Sequence, residues 1–180
     1  GKGFGPHAHR DMEIITYLVE GHVLHRDSTG EQHIIGPNEI QVMSAGTGIV
    51  HSEFNASEEV LAHVIQIWIE PVSEDLHPSY QQIAFDPAEK RGRFRLLAAP
   101  SPGEGQPAAI VKQDARLYAA ELRAGESVKH TLAPDRYAWV QVVRGHASLN
   151  GQSLKEGDGA AITGEPEIEV SGGGQEGGEV

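Results

Sequence analysis

The chain has 180 residues, a formal net charge of −12 and no cysteine. The lack of cysteine excludes disulfides, iron–sulfur clusters and thiol catalysis, and it fits a cytoplasmic protein. The acidic balance disfavours direct nucleic-acid binding, because such a surface repels a phosphate backbone. No apolar run is long enough to span a bilayer, so no membrane segment is expected.

Short β-branched runs bounded by turn residues dominate the first half of the chain. In chain order the predicted strands are Ile14–Val19, His22–His25, Ile34–Ile35, Ile40–Met43, Ile49–Phe54 and Val60–Ile69. The second of these is expected to pair with the first as a hairpin, across Glu20-Gly21. Turn signals recur every eight to twelve residues or so, which is typical of an all-β sandwich or barrel with little helix.

The middle of the chain carries a helix start and then a linker. Asp86-Pro87-Ala88-Glu89 combines an N-cap, a proline at the first helical position and a capping glutamate, which predicts one short helical turn. Ser101–Ala109, "SPGEGQPAA", reads as a linker between two halves. The second half repeats the order of the first, since "VVRGHASLNG" echoes "YLVEGHVLH". Two related β-domains are therefore expected.

Two pairs of metal-ligating residue types stand at i and i+2. His7 and His9 form one pair, and His51 and Glu53 form the other. Residues two apart in a strand share one face, so each pair points in one direction. If the strands neighbour each other in a barrel, three imidazoles and one carboxylate converge, a donor set that suits Fe, Ni, Cu or Zn. A six-coordinate ion would keep two positions open for a substrate oxygen and O₂.

The remaining histidines share no spacing. They are interpreted as surface or hydrogen-bonded residues, with His63 as a candidate neighbour of the ligands: His22, His25, His33, His63 and His77. The second half offers only His130 where the first half has its paired histidines. Glu13 follows the first pair by four residues, and the spacing does not decide whether it is a ligand or orients one.

Several stretches resemble the pirin family of the cupin superfamily. They are "PHAHRDMEIITYLVEG", "HRDSTG", "IGPNEIQVMSAGTGIVHSE", "QIWIE" and "HPSYQ", in that family's order across about the first 85 residues. The resemblance implies two cupin barrels of the jelly-roll type. The expected division is an N-terminal barrel with a metal site at 1–100, a linker at 101–109 and a C-terminal barrel without metal ligands at 110–180. Family members have further segments at both ends, so a chain clipped at both ends is expected.

The resemblance also implies a ligand set and a metal. His7, His9, His51 and Glu53 take the four ligand positions, and Glu13 does not coordinate. Iron is the expected metal, most simply as Fe(II), with Mn, Ni, Co, Cu or Zn as alternatives. The oligomeric state is not indicated by the sequence, and a monomer is the default.

The leading functional hypothesis is a metal-dependent dioxygenase that opens the heterocycle of a flavonol such as quercetin, as bacterial pirins with quercetinase activity do. Its partners would be a small aromatic substrate and O₂. Glu53 is expected to accept the proton of the flavonol hydroxyl, as the catalytic base. Met43, Ile49 and Phe54 are expected to wall a dry pocket.

Two alternatives remain at this stage. One is a non-catalytic iron-binding pirin that acts as a redox- or metal-sensitive partner of a regulatory protein. The other is zinc hydration chemistry at a three-histidine site, which Glu53 disfavours because it would occupy the position that zinc-bound water needs.

Overall fold

The computed structural model describes residues 2–101 and 107–180. The chain forms two compact units, each built from two segments. The first unit contains Gly1–Asp86 and Leu96–Leu117, and the second contains Pro87–Arg95 and Tyr118–Val180. The predicted boundaries at 1–100, 101–109 and 110–180 remain a proposal. Within the predicted linker, residues 102–106 lie outside the described residues.

Strands make up nearly all of the regular structure, as the turn rhythm predicts. Over the described residues they are β1 (Gly3–His9), β2 (Glu13–Glu20), β3 (Val23–Asp27), β4 (Gln32–Ile35), β5 (Glu39–Ser44), β6 (Ile49–Asn55), β7 (His63–Ile69), β8 (Ser79–Ala84), β9 (Arg95–Ala99), β10 (Ala109–Ile110), β11 (Leu117–Ala119), β12 (Glu121–Leu122), β13 (Ser127–Thr131), β14 (Ala138–Gln141), β15 (Arg144–Leu149), β16 (Gln152–Lys155), β17 (Gly159–Ile162), β18 (Glu167–Gly172) and β19 (Gly178–Glu179). The predicted helical turn is present as a four-residue 3-10 helix, Pro87–Lys90. The all-β fold class is confirmed.

The first unit contains two antiparallel four-stranded sheets. Their strand orders are β1-β6-β3-β4 and β7-β2-β5-β8. Ile14 and Met43 of the second sheet pack in one buried cluster with Ile49 of the first, so the two sheets face each other across a shared core. A second buried cluster joins Leu18 to Val23 and Ile35 in the same way.

The predicted hairpin between β2 and β3 is wrong. β2 pairs with β5 and β7, whereas β3 pairs with β4 and β6, so the two strands lie in different sheets. The chain changes sheet at Gly21, whose φ of 73° lies in the left-handed region. A Cβ there would lie 2.3 Å from the carbonyl oxygen of Leu61, so the crossing needs glycine.

The second unit repeats part of this topology with an apolar interior. β13, β18, β15 and β16 are neighbours in that order, as β1, β6, β3 and β4 are in the first unit, and β14 pairs with β17 as β2 pairs with β5. The internal repeat read from the sequence therefore corresponds to a repeated fold. The inward residues of its central strands are aliphatic, namely Ile168 and Val170 on β18 and Ala147 and Leu149 on β15.

None of the helical segments in the described part of the chain has the length and apolar character that crossing a membrane requires.

Candidate metal centre

Strand pairing places the two predicted pairs on neighbouring strands of the first unit, β1 and β6. In the β1–β6 ladder His7 lies opposite His51, and His9 lies opposite Ile49. A register shift between Phe4 and His7 breaks the ladder just before the first histidine. Strand alternation then directs His51 and Glu53 to the buried face of β6, where their exposed fractions are 2% and 6%.

The three predicted histidines form a compact triangle. Their ring centroids are 4.4 Å apart for His7 and His51, and 4.9 Å apart for each of these two with His9. One ring nitrogen of each lies within 4.8 Å of the others, which is close enough for a shared ion. The Nδ1 atom of His7 lies 2.8 Å from the carbonyl oxygen of Gly5. A backbone bond of that kind commonly fixes the ring of a metal-ligating histidine.

Among the described residues, the carboxylate of Glu53 groups with the rings of His51 and His25, whereas His7 and His9 group with His51 alone. Glu53 is held by a residue that sequence reasoning missed. Gln66 on β7 donates from Nε2 to Oε2 of Glu53 at 2.8 Å, and Trp68 donates from Nε1 to Oε1 of Gln66 at 2.9 Å. An indole N–H only donates, so the Gln66 oxygen faces Trp68 and its amide nitrogen faces the carboxylate. Nothing in "QIWIE" marks this role, because a polar residue in an edge strand usually faces water.

The unpartnered polar atoms of the site fit a bound cation. Among the described residues, Nε2 of His9, both ring nitrogens of His51 and Oε1 of Glu53 are inaccessible to water and have no hydrogen-bond partner. Leaving such groups unpaired is costly, so buried orphans call for an explanation such as an ion. Three imidazoles and one carboxylate suit a divalent transition metal.

The protonation state of the histidines agrees with this interpretation. Burial, and then the neighbouring imidazoles of His7, His25 and His9, lower the pKa of His51 from 6.5 to about 3. Burial, and then His7, lower the pKa of His9. Both rings are therefore neutral near pH 7, which is the form that coordinates a metal.

His25 is a second residue whose role the sequence analysis missed. It is fully buried, and its ring centroid lies 5.3 Å from that of His51. His25, His51 and Glu53 each offer a ligand atom within 4.8 Å of the others. A signal was present in "HRDSTG", since His25 and Asp27 stand at i and i+2 and their side chains pair at 2.9 Å.

The carboxylate of Glu13 is engaged by other groups. Its Oε2 accepts hydrogen bonds at 2.9 Å from the hydroxyl of Ser44 and at 2.9 Å from the backbone N–H of Lys112. Among the described residues Glu13 belongs to neither group of neighbouring ligand atoms, which agrees with the non-coordinating role that the resemblance implies. Among the other histidines, His33 pairs with Glu31 at 2.6 Å and His77 contacts its neighbour Pro78, as surface residues do.

The centre opens at the edges of the two sheets. Trp68, 55% exposed, meets the ring of His9 edge-on at 4.9 Å. Phe4, 69% exposed, lies 6.3 Å from the ring of His7. Two exposed aromatic rings therefore lie next to the two partly exposed imidazoles, where a flat aromatic molecule could stack.

Two of the three expected pocket residues lie on the face that carries the site. Met43 and Ile49 are buried in one cluster with Ile14. Phe54 follows Glu53 directly, so strand alternation places it on the opposite face of β6, with Gly3 and Leu24 as its strand neighbours. It is therefore not part of the pocket wall.

Comparisons with known proteins agree with this geometry. The family model Pirin matches residues 1–69, and the model for the quercetinase C-terminal cupin domain matches residues 96–177. A protein of Escherichia coli strain K12 named quercetin 2,3-dioxygenase is 41% identical over 170 residues, which are 94% of this chain and 71% of that protein. A pirin-like protein of Caulobacter vibrioides is 38% identical over 169 residues, 94% of this chain and 72% of its own length.

Solved structures show the same relationship. The crystal structure of YhhW from Escherichia coli superposes with a TM-score of 0.90 at 40% identity, covering 99% of this chain and 74% of that one. The structure of this bacterial pirin in complex with nickel(II) gives a TM-score of 0.88 at 39% identity, with the same coverage. With two repeated barrels, a histidine cluster in the first and relatives of this similarity, the chain belongs to the pirin family.

Proposed function

We propose that this chain is a metal-dependent dioxygenase that opens the heterocycle of a flavonol such as quercetin. The observation that carries the proposal is the group of buried, unpartnered donor atoms of His9, His51 and Glu53 beside an aromatic-lined opening. Support also comes from the relative named quercetin 2,3-dioxygenase, at 41% identity.

The proposed ligands are His7, His9, His51 and Glu53. Their donor set accepts several divalent ions, of which iron is the one the family resemblance implies. The nickel(II) complex of the related bacterial pirin makes nickel a second ion to test. When bound, the ion supplies Lewis-acid polarisation, which lowers the pKa of a coordinated hydroxyl.

Glu53 is the proposed proton acceptor for that hydroxyl. Its Oε1, which has no partner among the described residues, is the oxygen offered to the ion, so Oε2, which accepts a hydrogen bond from the amide of Gln66, is the oxygen left to take the proton. The hydrogen bond from the Gln66 amide also holds the carboxylate in one orientation. Proton transfer to a carboxylate positioned in this way typically contributes roughly 10²–10⁴ in rate.

The substrate would be oriented by the rings at the opening and kept dry by the core beneath. Trp68 is held by its hydrogen bond to Gln66. Gln66 therefore positions both Glu53 and the aromatic ring that would contact the substrate. Met43 and Ile49, 0% and 2% exposed, exclude water below the imidazoles. In the overall reaction one O₂ is consumed, both of its oxygen atoms enter the ring-opened product and carbon monoxide leaves.

The test is turnover by metallated protein. Protein loaded with Fe(II), and separately with Ni(II), should consume quercetin and O₂ together, followed by flavonol absorbance and an oxygen electrode. Glu53→Gln should lose about 100-fold or more in kcat, whereas His63→Ala, on a histidine outside the cluster, should retain activity. Fully metallated protein that leaves quercetin unchanged would contradict the proposal.

A further inference from the structure

A second group of ligand atoms lies deeper in the first barrel than the three-histidine triangle. In the β3–β6 ladder His25 is the direct partner of Glu53. Ligand atoms of His25, His51 and Glu53 lie within 4.8 Å of one another, and all three residues are buried. The outer triangle contains two partly exposed histidines, whereas this inner group contains none.

Two of the three inner residues present atoms with no partner. Both ring nitrogens of His51 and Oε1 of Glu53 are inaccessible and unbonded among the described residues. An ion in the outer triangle engages one nitrogen of His51 and leaves the other unexplained. The inner group supplies a reason for that second nitrogen.

His25 is arranged as a metal-ligating histidine is. Its Nε2 lies 2.9 Å from Oδ2 of Asp27, with both side chains fully buried. A carboxylate behind the ring is the usual partner of a ligating histidine, because it fixes the tautomer and leaves the other nitrogen with a lone pair. Asp27 is itself held by Thr29, whose hydroxyl lies 2.6 Å from its Oδ1.

The other nitrogen of His25 has one weak competitor. Its Nδ1 lies 3.2 Å from Nε2 of Gln41, and the amide oxygen of Gln41 has no partner within the part of the chain that the structure describes. That bond is at the long limit for nitrogen donors, so an ion would displace little by taking its place. The fold itself does not require a polar group here, since the corresponding strand of the second unit, β15, carries Ala147 and Leu149 on its buried face.

We infer that His25, His51 and Glu53 form an inner position for a divalent transition metal ion, which shares His51 and Glu53 with the outer position. The chain then binds one ion at either of two depths. The inference rests on the proposed metal centre and extends it inward, because a donor set of two imidazoles and one carboxylate suits the same class of ion.

The experiment distinguishes the inner from the outer metal position by removing His7 and His9, the two partly exposed histidines of the outer position. His7→Ala/His9→Ala should still bind one Co(II) or Cu(II) per chain, measured by calorimetry, with affinity at least tenfold below wild type. Adding His25→Ala should then weaken binding by a further tenfold or more. Adding His63→Ala instead should change nothing, because His63 belongs to neither group.

Pulsed EPR of bound Cu(II) keeps the test independent of whether the His25 variant folds. In His7→Ala/His9→Ala the spectrum should report two coordinated imidazoles, those of His25 and His51. A single imidazole, or no binding at all by this variant, would overturn the inner position. Wild-type protein that binds neither ion would overturn the outer centre as well, so the two failures are distinguishable.

Discussion

His7 and His51 lie directly opposite each other on antiparallel strands, with ring centroids 4.4 Å apart. They are far apart in the sequence, and each belongs to a pair spaced by two. The β1–β6 ladder therefore converts two local i, i+2 patterns into one three-dimensional cluster. His51 is its central member, because its ring centroid also lies 5.3 Å from that of the buried His25.

Replacing His51 should cost more metal affinity than replacing any other histidine of the cluster. His51→Ala removes the one imidazole that both groups of ligand atoms share. We expect at least about a 100-fold loss of Ni(II) affinity, since even indirect partners of a metal site are worth roughly 10–100-fold. Calorimetry would measure the Ni(II) affinity of His51→Ala, His7→Ala and the control His63→Ala. Equal losses of affinity in the first two variants would contradict the prediction.

Gln66→Leu tests the hydrogen bond that orients Glu53. The substitution keeps the approximate size of the side chain but removes the donor 2.8 Å from Oε2. We expect the metal affinity to fall by roughly 10–100-fold. The folded structure of the protein should be unchanged. Gln32→Leu, on the exposed face of β4, is the matched control, and circular dichroism checks that both variants fold. A Gln66→Leu protein with wild-type affinity would show that the bond is dispensable.

Lowering the pH should destabilise the metal-free protein. The unfolded chain protonates His51 near pH 6.5, whereas the native chain does so only near pH 3. The unfolded state therefore binds more protons between these values, so the stability contributed by neutral His51 is full above about pH 6.5 and falls as the pH decreases toward 3. Urea midpoints at about pH 7.5 and 4.5 measure the slope. His51→Leu should flatten it, and an unchanged slope would argue against a neutral His51.

Trp68 should report metal binding directly. Its ring meets that of His9 at 4.9 Å, so a paramagnetic ion at the centre would quench its fluorescence. The chain has two tryptophans, and Trp139→Phe leaves only Trp68. Addition of Cu(II) should quench this variant strongly. Trp68→Phe keeps every proposed metal ligand, and most of the quenching should be lost; if it persisted, the ion would be elsewhere.

The second unit offers a stability test that is independent of the metal. Lys90 and Glu179 form a buried ion pair at 2.5 Å. Lys90→Met removes one charge of the pair and should destabilise the protein by about 3–5 kcal/mol, the usual cost of breaking a buried pair from one side. Lys129→Met, which breaks the exposed pair with Glu167, should change the urea midpoint little. Similar midpoints for the two variants would contradict the assignment.

The sequence predicted which residues form strands better than it predicted which strands pair with each other. Strand positions such as Ile40–Met43 and Ile49–Phe54 follow from short-range alternation, and so do the two metal-ligating pairs. The β2–β3 hairpin failed because pairing depends on residues far apart in the chain, such as Leu61, which approaches Gly21. Gln66 has no short-range signal at all, and His25 had one in its spacing from Asp27 that was not used.

The two barrels also differ in what completes their interiors. The second is closed by aliphatic side chains such as Ile168 and Val170, whereas the first keeps buried polar atoms that no group among the described residues satisfies. A cation in that space acts as a missing core side chain, and its binding energy adds to the folding free energy by mass action. With the proposed ion, the concentration of free metal would therefore set the equilibrium stability of the first barrel, and depletion of the ion would lower that stability.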